Sequence, residues 1–307
     1  MRTALQEACL SNLSMPPGMV WELVMASLRE AYPEETLSTI PRLPSITIIK
    51  YTRTQATGSD AFRAIESIPT RNVAADDSRP FLQFSVVHTV GCGQQRYLGF
   101  GHPELVRLLR YAGSAIFIDG IFKMVPRPFP QCLIVMMRDP GMDMYVPATY
   151  VLMDSKQQDA YWNALNYVIV QTDRLLEPAT VTCDFEHGLM NAITEQFPLV
   201  KIRGCLFHWK RALRRKIVEL CIARPQISAV LRSGIIDVLA IIPIDQIADK
   251  GFRFVRAQMD ETGNKTKWDA FWRYFRKTWV TSYDAGLWNV NSMTESGIDL
   301  QNRTTTR

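Results

Sequence analysis

Two aspartates stand at the ends of apolar segments with strand-like composition, and their side chains could hold metal ions. Asp119 ends the segment 114–119, and Asp184 follows the segment 179–183. Carboxylate oxygens are the ligands that Mg²⁺ prefers in proteins. Two closely spaced metal ions can stabilise the attacking and the leaving oxygen of a phosphodiester together. The pair therefore predicts an enzyme that cleaves or transfers polynucleotide strands at a two-metal Mg²⁺ or Mn²⁺ site.

Each aspartate also has a simpler interpretation. Asp119 precedes Gly120, and Asp-Gly is a favoured two-residue turn between antiparallel strands. Asp184 stands between a strand and a helix, where an aspartate commonly caps the free amides of the helix. The metal interpretation is stronger for the two residues together, because both end strands that we expect to lie side by side.

A Cys-x-x-His pair, Cys205 and His208, provides half of a tetrahedral zinc site. Cys183 and His187 could supply the other half, although a packed cysteine and a helix-capping histidine are the favoured explanation. The sequence leaves structural zinc open.

A dense run of positive charge follows this pair. Lys210, Arg211, Arg214 and Arg215 form two pairs at a spacing of four residues, which places them on a helix surface that could bind DNA phosphates. A solvated helix face is the alternative. The aromatic segment 268–279 could stack bases, but its helical spacing favours a packed core.

Apolar periodicity predicts the elements that position these residues. Three strands at 114–119, 131–137 and 146–153 suit an antiparallel meander, and a capping box of Ser155 and Gln158 opens the next helix. The remaining predicted elements are a strand at 179–183, a helix at 185–197, a strand at 199–205 and a basic helix at 208–221. This order predicts an α/β fold of the ribonuclease H-like type, with a mixed sheet flanked by helices and an α-helical insertion after the fifth strand.

The chain divides into four predicted segments. Residues 1–80 form a lead-in of uncertain fold, with a helix at 19–32, a strand at 46–49 and a linker at 76–80. Residues 81–223 form the catalytic core, which opens with strands at 81–87 and 95–100. Residues 224–285 form the helical insertion, and residues 286–307 should carry a further acidic residue.

Composition restricts the class of protein. The chain has 307 residues, 47% of them hydrophobic, and a net charge of +5, which suits a core-forming protein with a polyanionic partner such as DNA. Six scattered cysteines predict free thiols rather than a disulfide framework. The sequence shows no secretion signal and no apolar run that could span a membrane, so we expect a soluble protein of the nucleus or cytoplasm.

Several motifs together resemble the Mutator-like element (MULE) transposase domain. The similar segments are Asp119-Gly120-Ile121-Phe122-Lys123, Val146 to Met153, Asp184-Phe185-Glu186, and Gly204 to His208 before the basic helix. The resemblance covers roughly residues 81–208 and implies a DDE-type transposase. Asp119 and Asp184 would then bind divalent metal ions for DNA cleavage and strand transfer. It also implies transposon and target DNA as partners, action in the nucleus, and a possible homo-oligomer on DNA.

The third acid of such a site is the weakest part of the resemblance. Glu295 is available, but the segment Asn302-Arg303-Thr304 resembles the start of the family segment after which the glutamate is expected. The sequence then continues only to Arg307, so we expect a truncated or degenerate copy with Glu295 as the substitute acid. The alternatives are a non-catalytic DNA- or protein-binding relic of a transposase, and a host nuclease of the same fold.

Overall fold

The computed structural model describes residues 1–11, 15–33, 39–57, 72–74, 76–90, 93–122, 125–126, 129–139, 141–232 and 234–293. The chain divides into two compact units, Met1–Arg71 and Asn72–Arg307. Glu295, Lys123 and the segment 302–304 lie outside the described residues.

The described residues of the first unit form three helices, α1 (Arg2–Ser11), α2 (Pro17–Ala31) and α3 (Arg42–Thr57). Their buried side chains form one small apolar core, made of Leu5, Cys9, Val20, Val24 and Ile49. The strand predicted at 46–49 is wrong, because these residues lie in the middle of α3. Three isoleucines and a threonine suggested a strand, but packing of Ile49 against α1 and α2 stabilises a helix instead.

A seven-stranded mixed sheet forms the centre of the second unit. In chain order its strands are β3 (Leu82–Val90), β4 (Gly93–Phe100), β5 (Ala115–Ile121), β6 (Gln131–Asp139), β7 (Met144–Met153), β8 (Thr180–Cys183) and β9 (Lys201–Gly204). The spatial order is β3-β4-β7-β6-β5-β8-β9. The neighbouring strands β3 and β4, β4 and β7, β7 and β6, and β6 and β5 pair antiparallel. Strand β8 pairs parallel with both β5 and β9. The predicted meander of β5, β6 and β7 is confirmed.

A short hairpin precedes this sheet. Strand β1 (Asn72–Ala74) pairs antiparallel with β2 (Asp77–Pro80). The linker predicted at 76–80 is therefore wrong. Arg79 donates a hydrogen bond of 2.6 Å to Asp77, so the charged residues that suggested a linker stabilise the second strand of this hairpin.

Helices flank the sheet. Helix α4 (Pro103–Leu108) follows β4, α5 (Gln158–Gln171) joins β7 to β8, α6 (His187–Gln196) joins β8 to β9, and α7 (Leu206–Glu219) follows β9. The buried residues of α7 recur every three or four positions, at Leu206, Trp209, Leu213 and Ile217, so one face of this basic helix packs on the core.

The predicted capping box of α5 is wrong. The cap position of the helix is Gln157, which makes no side-chain capping bond. The Gln158 side chain instead donates to Glu195 at 2.7 Å and accepts from Asn191 at 2.9 Å. Its carboxamide thereby joins α5 to α6 rather than closing the first turn.

The chain between Arg224 and Trp288, here called the C-terminal helical region, is helical as expected. It contains α8 (Arg224–Val230), α9 (Val238–Ile241), α10 (Ile244–Gln246), α11 (Phe252–Glu261), α12 (Lys265–Phe275) and α13 (Ala285–Trp288). Two π-helical segments, Ile247–Gly251 and Arg276–Ser282, continue into α11 and out of α12. The aromatic segment forms a packed core as the helical spacing favours, because Trp268, Phe275 and Trp279 are almost fully buried.

No helix in the described part of the chain is both long enough and apolar enough to span a membrane.

Candidate functional site

The sheet register places Asp119 and Asp184 next to each other. Ile118 of β5 pairs with Cys183 of the parallel strand β8. Each aspartate is the next residue along its own chain, so both carboxylates emerge at the same edge of the sheet. Parallel neighbours bring their carboxyl ends together, and this geometry joins residues that are far apart in sequence.

The two simpler interpretations of these aspartates are wrong. Gly120 pairs with Leu133 inside the β5–β6 ladder, so Asp119 and Gly120 belong to a strand and not to a two-residue turn. Glu186, and not Asp184, occupies the cap position of α6, without a side-chain capping bond.

The backbone fixes each carboxylate locally. The amide of Gly120 donates to Asp119 Oδ1 at 2.8 Å, and the amide of Phe185 donates to Asp184 Oδ1 at 2.6 Å. Burial raises the pKa of Asp119, and the Asp184 carboxylate raises it further, whereas His208 and the Gly120 amide oppose this shift. Two carboxylates in a partly buried site therefore favour a positive charge between them.

His208 lies between the two aspartates. Its Nε2 is 3.9 Å from Asp119 Oδ1, and its Nδ1 is 3.8 Å from Asp184 Oδ1. Both distances are too long for hydrogen bonds, and the buried Nδ1 has no hydrogen-bond partner among the described residues. The Cys-x-x-His motif indicated a chemical role for this histidine only as half of a zinc pair. Its position in the first turn of the helix after β9, at the same sheet edge, was the signal that could have placed it here.

The zinc interpretation finds no support in the described part of the chain. No group of three or more His, Cys, Asp and Glu side chains there is arranged to hold a metal ion. Cys205 and Cys183 are fully buried, and burial raises the pKa of Cys205 to about 11. His187 stacks on Tyr283, with ring centroids 4.6 Å apart. The same finding covers Asp119, Asp184 and His208, so metal binding by the two carboxylates stays a prediction.

Both aspartates and His208 line a cavity of about 640 Å³, here called the site cavity. Arg211 and Arg215 of α7 line it, and Tyr274 and Thr278 line it from the C-terminal helical region. Two further aromatic rings of its lining are open to solvent, with Phe122 44% and Phe207 38% exposed. The cavity therefore combines carboxylates with nearby guanidinium groups and aromatic surface.

The structure separates the four basic residues predicted to bind DNA. Arg211 and Arg215 line the site cavity, whereas Arg214 is exposed and is not among its lining residues. Lys210 pairs with Asp237 at 2.9 Å. A spacing of four residues brings Arg211 and Arg215 to the same side of α7 as His208, and DNA binding by all four residues remains a prediction.

Phe185 connects the site to the C-terminal helical region. Its ring packs edge-on against Trp279, with centroids 4.8 Å apart, and against Tyr283 at 5.3 Å. The Tyr283 hydroxyl donates to the Phe185 carbonyl at 2.8 Å. The residue directly after Asp184 is thus held by this helical region, which the sequence predicted only as an insertion.

The fold and the site define an α/β domain that presents two carboxylates, a histidine and two arginines at one edge of a mixed sheet. Residues 115–212 match the family model of the MULE transposase domain, so the chain contains a domain of this family. The matched stretch runs from β5 into α7 and includes Asp119, Asp184 and His208. It begins after β3 and β4, which the sequence resemblance had included. A comparison with curated proteins finds no match.

Proposed function

We propose that this chain is a DDE-type MULE transposase that cleaves and transfers DNA strands, with a ribonuclease H-like core. One observation carries the proposal: the register of β5 and β8 brings Asp119 and Asp184 together within the stretch that matches the transposase domain. Transposon and target DNA are the proposed substrates. Assembly as a homo-oligomer on DNA and action in the nucleus follow from the same proposal.

The residues of the site fit divalent metal ions. Asp119 and Asp184 would hold Mg²⁺ or Mn²⁺, since hard cations prefer carboxylate oxygens. The buried, unpartnered Nδ1 of His208 beside Asp184 supports this fit, because buried polar atoms usually have partners. When bound, two such ions stabilise the attacking and leaving oxygens of a phosphodiester. Glu295 stays the proposed third acid.

The residues of the chain itself orient the strand and the carboxylates. The amides of Gly120 and Phe185 hold the two carboxylates toward the cavity. Arg211 and Arg215 are placed to bind backbone phosphates, because the guanidinium group matches phosphate oxygens with two donors. The exposed rings of Phe122 and Phe207 offer surfaces on which bases can stack.

Nicking of supercoiled plasmid DNA tests the proposal. We expect nicking that requires Mg²⁺ or Mn²⁺ and that falls at least about 100-fold in Asp119→Asn and in Asp184→Asn, since the metal supplies most of the charge stabilisation. Asp159→Asn is the matched control, because Asp159 is an exposed aspartate outside the site cavity. DNA binding should persist in all three variants.

Other outcomes separate the alternatives. Salt-sensitive DNA binding without nicking under any metal condition would contradict the enzymatic proposal and favour a non-catalytic relic. Cleavage that never joins the released 3′ end to a second duplex would favour a nuclease of the same fold.

A further inference from the structure

A second cleft lies on the C-terminal helical region. This arginine cleft has a volume of about 210 Å³ and is lined by Arg256, Asp269, Trp272, Arg273 and Arg276. None of these residues lines the site cavity. The cleft is a separate feature built from α11, α12 and the π-helical segment that follows α12.

The cleft carries excess positive charge. Arg256 is neutralised, because it pairs with Asp260 at 3.0 Å and with Asp269. Arg273 and Arg276 are exposed and form no ion pair with any described residue. The Arg276 guanidinium lies 5.7 Å from the ring centroid of Phe252, a contact that restrains its orientation. Two guanidinium groups thus face solvent at one cleft without acidic partners.

A buried donor accompanies these cations. Trp272 is only 5% exposed, and its indole N–H is buried without a hydrogen-bond acceptor in the described part of the chain. Native proteins pair nearly all such donors, with protein, water or ligand. The cleft therefore combines two guanidinium groups that have no acidic partner in the described part of the chain with the wall of a largely buried indole ring. A tetrahedral oxyanion, with several acceptor oxygens and a negative charge, matches the two guanidinium groups.

We infer that the arginine cleft binds a phosphate group of the DNA backbone outside the site cavity. The inference rests on the proposed function, because it assumes that the chain acts on DNA. The same helical segment serves both places: Tyr274 and Thr278 line the site cavity, and Arg273 and Arg276 line the arginine cleft. The segment that contacts the cleaved strand thereby also binds a second part of the same DNA.

The salt dependence of DNA binding tests the inference. Fluorescence anisotropy with a labelled duplex is measured over a NaCl series for the wild-type chain and for Arg273→Gln/Arg276→Gln. We expect roughly 3- to 10-fold weaker binding at moderate salt, and a salt slope smaller by about 0.9, for one lost phosphate contact. Lys277→Gln is the matched control, because Lys277 is an exposed neighbour outside the cleft. Lys277→Gln should lose less DNA affinity than the double variant, and its salt slope should stay closer to the wild-type value.

Two further arms define the ligand. Trp272→Phe keeps both guanidinium groups, so the salt slope of DNA binding should stay at the wild-type value, and a smaller slope would contradict the assignment of the phosphate contact to Arg273 and Arg276. Inorganic phosphate should compete with DNA in the wild-type chain less effectively once Arg273 and Arg276 are replaced. If the double variant loses only its response to inorganic phosphate and keeps full DNA affinity and slope, the cleft binds free phosphate and the inference is overturned.

Plasmid nicking distinguishes this failure from failure of the proposed function. The double variant keeps Asp119 and Asp184, so its nicking should still require Mg²⁺ or Mn²⁺, and at subsaturating DNA it should be slower than in the wild-type chain because binding is weaker. Wild-type nicking together with an unchanged salt slope in the double variant overturns the arginine cleft alone. A wild-type chain that neither binds nor nicks DNA overturns both proposals.

Discussion

Gly204 of β9 lies directly against the ring of Phe185, and this contact predicts a large effect for a single methyl group. A Cβ added at Gly204 would lie 2.1 Å from Phe185 Cζ and 2.3 Å from Cε1. The ring cannot move away freely, because Trp279 and Tyr283 pack against it. Gly204→Ala should therefore destabilise the second unit by about 1–3 kcal/mol, the usual cost of overpacking.

Urea unfolding followed by tryptophan fluorescence measures this loss. All tryptophans other than Trp21 lie in the second unit, so the signal reports on that unit. A loss of about 2 kcal/mol lowers the melting temperature of a domain of this size by about 4–8 °C. Plasmid nicking should fall as well, since the Phe185 amide donates to Asp184 and moves with the displaced ring.

A double-mutant cycle identifies the contact as the cause. Phe185→Leu shortens the side chain, so Gly204→Ala should cost less in that background, with a coupling energy of about 1–2 kcal/mol. Gly188→Ala is the control, because its Cβ would meet only ordinary contacts, the nearest at 3.4 Å. Strictly additive effects, or a Gly204→Ala chain as stable as wild type, would refute the reasoning.

Three smaller predictions concern the same region. Arg211→Gln should weaken binding of single-stranded DNA several-fold, and more than Arg214→Gln, which lies outside the site cavity; equal losses in anisotropy titrations would contradict the placement. Tyr283→Phe removes the hydroxyl that donates to Phe185, so urea unfolding should show a loss of about 0.5–1.5 kcal/mol. Burial raises the pKa of Cys205 from 9.0 to about 11. Its contribution to stability is complete below pH 9 and lost as the pH rises toward 11. The stability advantage of the wild-type chain over Cys205→Ala should fall in that window by roughly 1–3 kcal/mol.

The sequence predicted the strands of the sheet well because their apolar residues are locally distinctive. The segment 114–119 becomes β5, and 179–183 becomes β8, with ends shifted by one or two residues. The strand at 46–49 failed for the opposite reason. Local composition favoured a strand, whereas the core of the first unit required a helix that buries Ile49.

The same division holds for the candidate site. The sequence by itself determined which residue types could bind metal and DNA, and that both aspartates follow apolar strands. Only the tertiary structure decided which groups meet. The parallel pairing of β5 and β8 sets Asp119 beside Asp184, and packing of α7 brings His208 between them. It also turns Arg211 toward the cavity and Lys210 toward Asp237. These outcomes depend on strand pairing and helix rotation, which arise from contacts between segments distant in sequence and leave no local pattern.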